Sequence, residues 1–423
     1  MSPVRPTVQL VGARLEPEHH RLREFLTRTA QPYEWLEAGS PEAERVLAAH
    51  GLADPPLPVL VDGDDVYTGA TVESMLTAWR HDDAPKRSEY DLAIIGAGPA
   101  GLAAAVYAAS DGLSTIVLDR DVPGGQASHT SMIENFFGFP DGIGGAELSR
   151  LAGRQAEKFG AELLLMRGVQ GSRVNGKPES SFTLLVDGGY EISAPVVLAA
   201  TGMDWRRLEL DGVEELRDRG VYYGAGRSEA TQCSGDDVVV VGAGNSAGQA
   251  VLNLANNGAR VVMLVRGDRL GKSMSHYLVE RIEAHPLIDV HLGTQATGLH
   301  EDGGRLAAVS FADDSGKEET RPAIALFICI GGTPHTDWCP REHVFTDPAG
   351  YILTGTDLLE AGKRPDCWTL DRDPLPLETS RAGVFAAGDV RHGSTKRVGA
   401  AVGEGAMAIV LAYQRLTELG LAT

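Results

Sequence analysis

The chain has 423 residues, enough for two or three ordinary hydrophobic cores, and its 51 glycines suit a fold with many tight strand-to-helix turns. The formal net charge of −20 argues against nucleic acid and anionic membranes as partners. No apolar run approaches the roughly 20 residues that span a bilayer, no secretory signal is indicated, and the four cysteines are widely spaced. We therefore expect a cytoplasmic multidomain protein with reduced thiols and no metal site.

Residues 7–80 are predicted to form a small α/β unit. The pattern indicates the strand TVQLVG, a helix over residues 17–29, the strand PYEWLEA, a helix over residues 42–50, the hairpin PLPVLVDGDDVYTG and the helix VESMLTAWR. This order resembles the thioredoxin or glutaredoxin fold, with Pro58 at the position of that family's cis-proline. The family's Cys-x-x-Cys would open the first helix, where this chain has LEPEHH, so the resemblance implies a module without thiol exchange. An unrelated small α/β cap is the alternative.

The polar residues 81–89 are predicted to be a linker, and a much stronger pattern follows them. Residues 90–119 give a strand, the glycine turn GAGPAG, an apolar helix and a second strand, which is the βαβ fingerprint of dinucleotide binding. Gly96 allows the tight turn, Gly98 lets a pyrophosphate approach the backbone, and Gly101 permits close helix-to-strand packing. Asp119 ends the second strand and is expected to accept a hydrogen bond from an adenosine ribose.

The fingerprint recurs in DDVVVVGAGNSAGQAVLNLANNGARVVMLVRGDR, with Gly242, Gly244 and Ala247 in the corresponding positions. Here the second strand ends in Arg266 instead of an acid. An acid binds the two ribose hydroxyls of NAD, whereas an arginine suits the 2′-phosphate of NADP, so NADPH is predicted, with NADH as the alternative. A solvated strand-end cation is the alternative role for Arg266.

A third segment favours FAD as the ligand of the first fingerprint. It reads SRAGVFAAGDVRHGSTKRVGAAVGEGAMAIVLAYQRL and places AAGD between a strand and a glycine-rich turn that leads into a long helix. Asp389 is expected to hydrogen-bond the ribityl chain of the flavin. The helix N-terminus is expected to face the pyrimidine side of the isoalloxazine, where negative charge accumulates on reduction.

Through these motifs, residues 88–423 resemble the low-molecular-weight thioredoxin reductase family. The motifs GAGPAGLAAAVYA, GGQASHTSMIENFFGFP, AATG, GAGNSA, ICIGGTPHT and GVFAAGDV occur in that family's order. The resemblance implies an α/β fold with two Rossmann-like domains of three ββα layers, FAD and NADPH as cofactors, and a homodimer. The expected domains are a thioredoxin-like module at residues 1–84, an FAD domain at residues 88–212 and 319–423, and an NAD(P)H domain at residues 213–318.

The fingerprints and the resemblance together define two sets of candidate cofactor-binding residues. Those expected at FAD are Gly96, Gly98, Pro99, Ala100, Gly101, Asp119, Gly125, Gln126, Asn135, Thr201, Gly202, Gly388, Asp389, Lys396, Arg397 and Val398. Those expected at NADPH are Gly242, Gly244, Asn245, Ser246, Ala247, Arg266 and Lys272.

The chain departs from the family where that family has its redox-active cysteine pair. The two cysteines would fall within residues 224–228, but the chain has Gly224, Ala225, Gly226 and Arg227 there. We expect these small residues to leave space on the acceptor side of the flavin. Arg227 is expected to orient an anionic acceptor or to stabilise a reduced, anionic flavin.

Two smaller departures concern Cys233 and the NADPH phosphate clamp. Cys233 has no cysteine nearby in sequence and is predicted to be a buried structural thiol. The family's clamp is a His-Arg-Arg motif with a further arginine, of which this chain keeps Arg266 but has glycine at two of the other positions. Lys272 or Arg269 is expected to compensate.

Three functions are consistent with these features. The preferred one is an NADPH-dependent flavoprotein that passes electrons to a carrier protein, quinone, small molecule or oxygen without a protein disulfide. The first alternative is a thioredoxin-disulfide reductase that uses non-adjacent cysteines, which requires two sulfurs close in space. The second is a non-enzymatic flavin redox sensor.

Overall fold

The computed structural model describes residues 7–14, 16–79, 84–176, 180–224, 227–272, 274–339 and 344–421, with only the backbone at residues 227 and 228. These residues form two compact units. The first comprises residues 7–79, 129–132 and 205–331, and the second comprises residues 84–128, 133–204 and 332–421. No helix in the described parts of the chain combines the length and apolar character needed to cross a bilayer.

The N-terminal part of the first unit, residues 7–79, is called the N-terminal module below. Its elements are β1 (Val8–Gly12), α1 (Pro17–Arg28), β2 (Tyr33–Glu37), α2 (Pro41–Ala49), β3 (Val59–Asp62), β4 (Asp65–Thr68) and α3 (Val72–Ala78). The sheet order is β2-β1-β3-β4, with β1 parallel to β2 and antiparallel to β3. All predicted elements are present, and the Leu57–Pro58 peptide bond is cis.

The second unit begins with a parallel sheet. Its elements up to residue 205 are β5 (Leu92–Ile95), α4 (Pro99–Ser110), β6 (Thr115–Leu118), α5 (Gly145–Phe159), β7 (Glu162–Leu164), β8 (Val169–Asn175), β9 (Ser181–Val186), β10 (Tyr190–Ala194), β11 (Val196–Ala199) and β12 (Met203–Trp205). β5 is buried on both faces, which explains its uninterrupted apolar sequence. Leu92 and Ile94 pack in the same core as helix α4, and Ala93 and Ile95 pack with Phe182 of the antiparallel sheet β10-β9-β8. This gives the three layers that were predicted.

The rest of the first unit repeats this architecture. Its elements are β13 (Val221–Tyr223), α6 (Arg227–Gln232), β14 (Asp237–Val241), α7 (Asn245–Asn256), β15 (Arg260–Val265), α8 (His276–Glu283), β16 (Ile288–Leu292), β17 (Thr294–Asp302), β18 (Arg305–Asp313), β19 (Glu318–Pro322) and β20 (Ala325–Ile328). The parallel sheet has the order β13-β20-β14-β15-β16. Val238 and Val240 pack in one core with α7, whereas Val239 packs with Val309 and Phe311 of the antiparallel sheet β17-β18-β19.

The position of β20 changes one expected boundary. β20 pairs with β13 and β14 inside the sheet of the first unit. The unit therefore extends to residue 331, whereas the sequence-based boundary was placed at residue 318. β20 is a buried strand that follows the antiparallel sheet β17-β18-β19, and its sequence does not indicate which parallel sheet it joins.

The second unit closes with β21 (Gly332–Pro334), β22 (Val384–Ala386) and α9 (Val398–Glu418). β22 pairs in parallel with β11, which completes the sheet order β22-β11-β5-β6-β7. Short 3₁₀ helices occur at Gly125–His129, Leu270–Lys272, Gly355–Leu358 and Gly388–Val390. Because β5, β11 and β22 are parallel neighbours, their carboxyl ends lie together at one edge of the sheet, where open α/β sheets bind ligands.

Candidate active site

The first glycine turn joins β5 to α4 and leaves room for a ligand at one glycine only. Gly96 has φ +107°, and a Cβ there would lie 2.3 Å from Ala200 O. A Cβ at Gly101 would lie 1.9 Å from Gly96 O, so both glycines are required by backbone packing. Gly98 caps α4 and faces open space, with no heavy atom of the other described residues within 4 Å of a Cβ built there, apart from its two chain neighbours. A phosphate can therefore approach the N-terminus of α4, whose first residues are Pro99 and Ala100.

Asp119 follows β6 and is held by the glycine turn. Its Oδ2 accepts a hydrogen bond from Ala97 N at 2.5 Å, and its Oδ1 accepts one from Asp121 N at 2.9 Å. The carboxylate is therefore preoriented beside the turn, as a ribose-binding acid should be.

Gly125 and Gln126 lie in a 3₁₀ helix in contact with the same turn. A Cβ at Gly125 would lie 3.5 Å from the Cα of Gly98, and Gly125 has φ +52°. Gln126 Nε2 donates to Met203 O at 2.8 Å. These glycines form a cradle with little side-chain bulk at the helix N-terminus, which fits the pyrophosphate of a dinucleotide.

Thr201 and Gly202 follow β11 at the same edge of the sheet. Thr201 Oγ1 donates to His335 O at 2.6 Å, and His335 N donates to Gly202 O at 3.1 Å. Asn135 lies in the same unit and is exposed, and no described hydrogen bond fixes its side chain. Its role at the flavin stays a prediction.

Gly388 and Asp389 follow β22 and meet the start of α4. A Cβ at Gly388 would lie 3.0 Å from the Cβ of Ala100, and Gly388 has φ +76°. A Cβ at Gly405, within α9, would lie 2.1 Å from Ala100 O, so the two helices approach closely. Burial raises the pKa of Asp389 above its ordinary value, against the opposing charge of Lys396.

Lys396, Arg397 and Val398 lead into α9. Lys396 Nζ donates to Asp389 O at 2.6 Å and lies 4.2 Å from the ring centroid of Tyr351. Arg397 is the exposed N-cap residue, and Val398 is the first residue of the helix. The structure thus brings together the helix N-terminus, Asp389 and Lys396, which suits a flavin's anionic and hydroxyl groups.

Sequence reasoning missed Glu404, which organises this turn. Glu404 Oε2 accepts from Gly388 N at 2.7 Å, and its Oε1 accepts from Arg391 Nη2 at 2.7 Å. Burial acts to raise the pKa of Glu404, but the hydrogen bonds from Arg391 and the Gly388 N–H outweigh it and lower the pKa. The sequence signal is an acid within the apolar first half of α9, 16 residues from Gly388.

The second glycine turn, between β14 and α7, has the same design. Gly242 has φ +149°, and a Cβ there would lie 2.3 Å from Cys329 O. Gly244 caps α7 and faces open space, and Ala247 is fully buried against the turn. A second dinucleotide phosphate fits at this helix N-terminus.

The remaining candidate residues of this site differ in how they are held. Asn245 Oδ1 accepts from Ser275 N at 2.7 Å, so it ties α7 to the start of α8. Ser246, Arg266 and Lys272 are exposed. Within the described residues the Arg266 side chain makes no hydrogen bond or ion pair, so its guanidinium is available to a phosphate.

The segment at residues 224–228 is described only in part. Gly224 has φ +78°, its N–H donates to Ile328 O at 3.1 Å, and a Cβ there would lie 3.3 Å from the Trp205 ring. Ala225 and Gly226 lie outside the described residues, as does the side chain of Arg227. Their expected roles stay predictions. Trp205, beside Gly224, was missed by sequence reasoning because a tryptophan at the end of a strand has no specific signature.

All four cysteines are free thiols in the described structure, and two of them lie in the first unit. Cys233 is 4% exposed, which confirms the predicted burial, and Cys329 is 5% exposed. Burial raises the pKa of each thiol to about 12. Neither is therefore a thiolate near neutral pH, and a thiolate is the form that attacks a disulfide.

The chain matches one protein family and many individual relatives. Residues 90–405 match the pyridine nucleotide-disulphide oxidoreductase family. A thioredoxin reductase of Bacillus subtilis (strain 168) is 32% identical over 332 residues, covering 78% of this chain and 96% of the relative. A crystal structure of Lactococcus lactis thioredoxin reductase covers 78% of this chain and 99% of its own, with 29% identity and a TM-score of 0.68. The T. acidophilum thioredoxin reductase structure has 27% identity, the same coverages and a TM-score of 0.68.

These similarities agree with the two glycine turns and with the double three-layer architecture. The family match begins at residue 90 and leaves the N-terminal module outside it. FAD and NADPH, the cofactors predicted from the fingerprints, are those used by thioredoxin reductases. The chain therefore belongs to the pyridine nucleotide-disulphide oxidoreductase family and is similar to its thioredoxin reductases.

Proposed function

We propose that this protein oxidises NADPH, reduces FAD held by the second unit, and passes the electrons to an acceptor without an adjacent cysteine pair. The observation that carries the proposal is the pair of open glycines, Gly98 and Gly244, each at a helix N-terminus on a parallel sheet. When bound, FAD would supply the electron-transfer chemistry, as the acceptor of a hydride from the nicotinamide.

The chain's own residues bind and orient the two cofactors. Asp119 would hold the adenosine ribose, Asp389 and Lys396 the polar part of the flavin, and Arg266 the 2′-phosphate of NADPH. Burial raises the pKa of Asp389 because it disfavours the charged carboxylate.

The class of electron acceptor is proposed from the positions and the raised pKa values of the cysteine thiols. The sequence has no Cys-x-x-Cys at residues 224–228, and the buried thiols of Cys233 and Cys329 have pKa values raised to about 12. A dithiol relay needs one thiolate that attacks and a second thiol that resolves the mixed disulfide. We therefore propose that the acceptor is a carrier protein, quinone, small molecule or oxygen that takes electrons from the flavin directly.

A second candidate is reduction of a disulfide through non-adjacent cysteines. It is favoured by the relatives, since thioredoxin reductases are similar to this chain over more than three quarters of its length. It requires two sulfurs that approach each other during turnover. The N-terminal module would then be the internal redox partner only if it had cysteines, and residues 1–84 contain none.

We also propose that the N-terminal module has a thioredoxin-like fold. Its support is the strand order β2-β1-β3-β4 with a parallel β1–β2 pair joined through α1 and an antiparallel β3–β4 hairpin followed by α3.

The two acceptor classes are separated by one panel of assays. FAD-loaded protein is mixed with NADPH and, in turn, with oxygen, a quinone, ferredoxin, flavodoxin, thioredoxin and an aromatic disulfide. We expect turnover with a non-disulfide acceptor and none with thioredoxin. Efficient thioredoxin reduction that is lost in Cys233→Ser or Cys329→Ser would establish the second candidate instead.

A further inference from the structure

Within the first unit, helix α1 of the N-terminal module packs on α6 and β13. His20 Nε2 lies 3.7 Å from Glu229 Oε1, and the His20 ring lies 4.7 Å from the Tyr222 ring, tilted by 52°. All three side chains are buried, with exposures of 4%, 8% and 9%. The module therefore contacts α6 and β13 through buried side chains, and His20, Tyr222 and Glu229 are called the buried centre of the contact below.

Charged pairs surround this centre. Arg14 of the module bonds Asp236, and Arg21 Nε lies 3.4 Å from Asp218 Oδ2. A third pair has the opposite sense, with Glu16 of the module bonded to Arg305. A buried centre inside a polar rim is the anatomy of a specific protein–protein interface.

The centre also holds a buried arginine that needs an acid nearby. Arg23 is 2% exposed, its Nη2 donates to Arg14 O at 2.7 Å, and its guanidinium lies 4.3 Å from the centroid of the Trp35 ring. Among the described residues, Arg23 Nε and Nη1 have no hydrogen-bond partner, and neither does Glu229 Oε2. The Glu229 carboxylate is one of the charges that raise the pKa of Arg23 against the lowering by burial. Separating the module from α6 would remove this electrostatic compensation.

The position of α6 gives the contact its functional meaning. α6 starts at residue 227, within the segment at which the family resemblance places the redox pair. We propose that the N-terminal module is a resident partner that stays docked on α6 and closes this face of the first unit to other proteins. The consequence for specificity, that a redox protein cannot serve as acceptor from this face, rests on the proposed function. The docking itself does not.

Two native thiols report on the docking. Cys233 N donates to Glu229 O at 3.0 Å, so Cys233 lies next to the contact. The Cys329 thiol is buried in the same core, and none of the groups that shift its pKa belongs to the module. Loss of docking should therefore expose Cys233 but leave Cys329 protected.

The test is alkylation of full-length, FAD-loaded protein with N-ethylmaleimide, with the labelled cysteines identified by peptide mass spectrometry. The variant is Glu16→Arg combined with Arg21→Glu, which reverses two rim charges that are not among those acting on the Cys233 thiol. Single rim pairs contribute little, but two reversals add repulsion, so we expect roughly a tenfold faster labelling of Cys233. Arg45→Glu, an exposed change within α2, is the matched control and should label as the wild type does. Equal Cys233 labelling in the double variant and the wild type would overturn the proposal.

Two further measurements keep the test decisive. If the double variant unfolds, Cys329 is labelled as well, and the labelling comparison is replaced by hydrogen exchange of the wild type. In that experiment the amides of α1 and α6 should be protected more strongly than those of the exposed α2. Exchange in α1 as fast as in α2 would contradict docking.

Labelling of the wild type during NADPH turnover tests whether the module stays docked while the enzyme works, because detachment would raise the rate of Cys233 labelling to that of the double variant. Thioredoxin reduction with Cys233 still protected would refute the proposed acceptor class and leave the docking intact.

Discussion

The two glycine turns of this protein share a backbone design but differ at the residue that follows the second strand. Asp119 accepts hydrogen bonds from Ala97 N and Asp121 N, so its carboxylate is fixed before any ligand arrives. Arg266 is exposed and makes no described hydrogen bond or ion pair. The comparison shows that backbone packing builds both glycine turns, whereas among the described residues the first turn alone has a preoriented acid of the kind proposed to bind a ribose.

Gly96→Ala should have the largest effect, because it changes a glycine whose close backbone packing is common to both turns. The added Cβ would lie 2.3 Å from Ala200 O at a φ of +107°. We expect a loss of about 3 kcal/mol or more in the free energy of unfolding, together with loss of bound flavin. Flavin absorbance of the purified protein and denaturant unfolding measure both effects.

Gly242→Ala is the counterpart in the nicotinamide turn, where the Cβ would lie 2.3 Å from Cys329 O. We expect this variant to retain flavin but to lose reduction by NADPH. Gly267→Ala is the control, since its Cβ would meet only Arg269 O, at 4.0 Å. The same flavin loss in the Gly96 and Gly242 variants would contradict two separate cofactor sites.

Asp119→Ala tests the preorganised acid of the flavin turn. It leaves the Ala97 N–H without its partner and removes the proposed ribose acceptor. We expect a cost of about 1–3 kcal/mol in flavin binding, measured as a rise in the FAD dissociation constant. Asp119→Asn keeps one oxygen acceptor and should lose less. Equal losses in the two variants would show that charge, and not hydrogen bonding, is the important property.

Arg266→Gln tests the free cation of the nicotinamide turn. Because the arginine is proposed to bind the 2′-phosphate, we expect KM for NADPH to rise roughly tenfold while KM for NADH stays nearly constant. Steady-state reduction of any working acceptor with both nucleotides measures this. Arg45→Gln in the N-terminal module is the control. An unchanged ratio of the two KM values would show that Arg266 is a solvated cation that does not contact the 2′-phosphate.

The smallest expected effect concerns pH and the first unit alone. Burial lowers the pKa of His20, against the charge of Glu229. Below about pH 6.5 the unfolded chain takes up a proton that the folded chain does not, so the free energy of unfolding falls as pH falls. The decrease for one such group is at most about 1.4 kcal/mol per pH unit. Wild type should lose more stability than His20→Gln between pH 7 and 5.5, and parallel profiles would contradict the buried neutral histidine.

The sequence was sufficient to predict the turns and the layers for a physical reason. Each fingerprint is contiguous, and glycines such as Gly96 and Gly242 are required by backbone contacts within their own βαβ unit or with a neighbouring strand end. The apolar strands and helices of both units carry their own periodicity. The elements of the N-terminal module were predicted for the same reason.

The remainder depended on contacts between segments far apart in the chain. The pairing of Glu404 with the Gly388 N–H joins a helix to a distant turn, and the burial of His20, Arg23 and Glu229 arises only where the module meets α6. A charged residue on a short helix normally faces water, so its sequence predicts the opposite of what the fold does. The expected domain boundary at residue 318 was wrong for the same reason, since tertiary packing decides which sheet β20 joins.

The most direct test of the account is an anaerobic titration of the flavin with NADPH. Without a redox-active disulfide, the flavin is the only group that accepts electrons, so one equivalent of NADPH per flavin should bleach it completely. An adjacent or distant cysteine pair that exchanges electrons with the flavin would consume a second equivalent before full bleaching. One equivalent is the result that the account predicts, and two equivalents would contradict it.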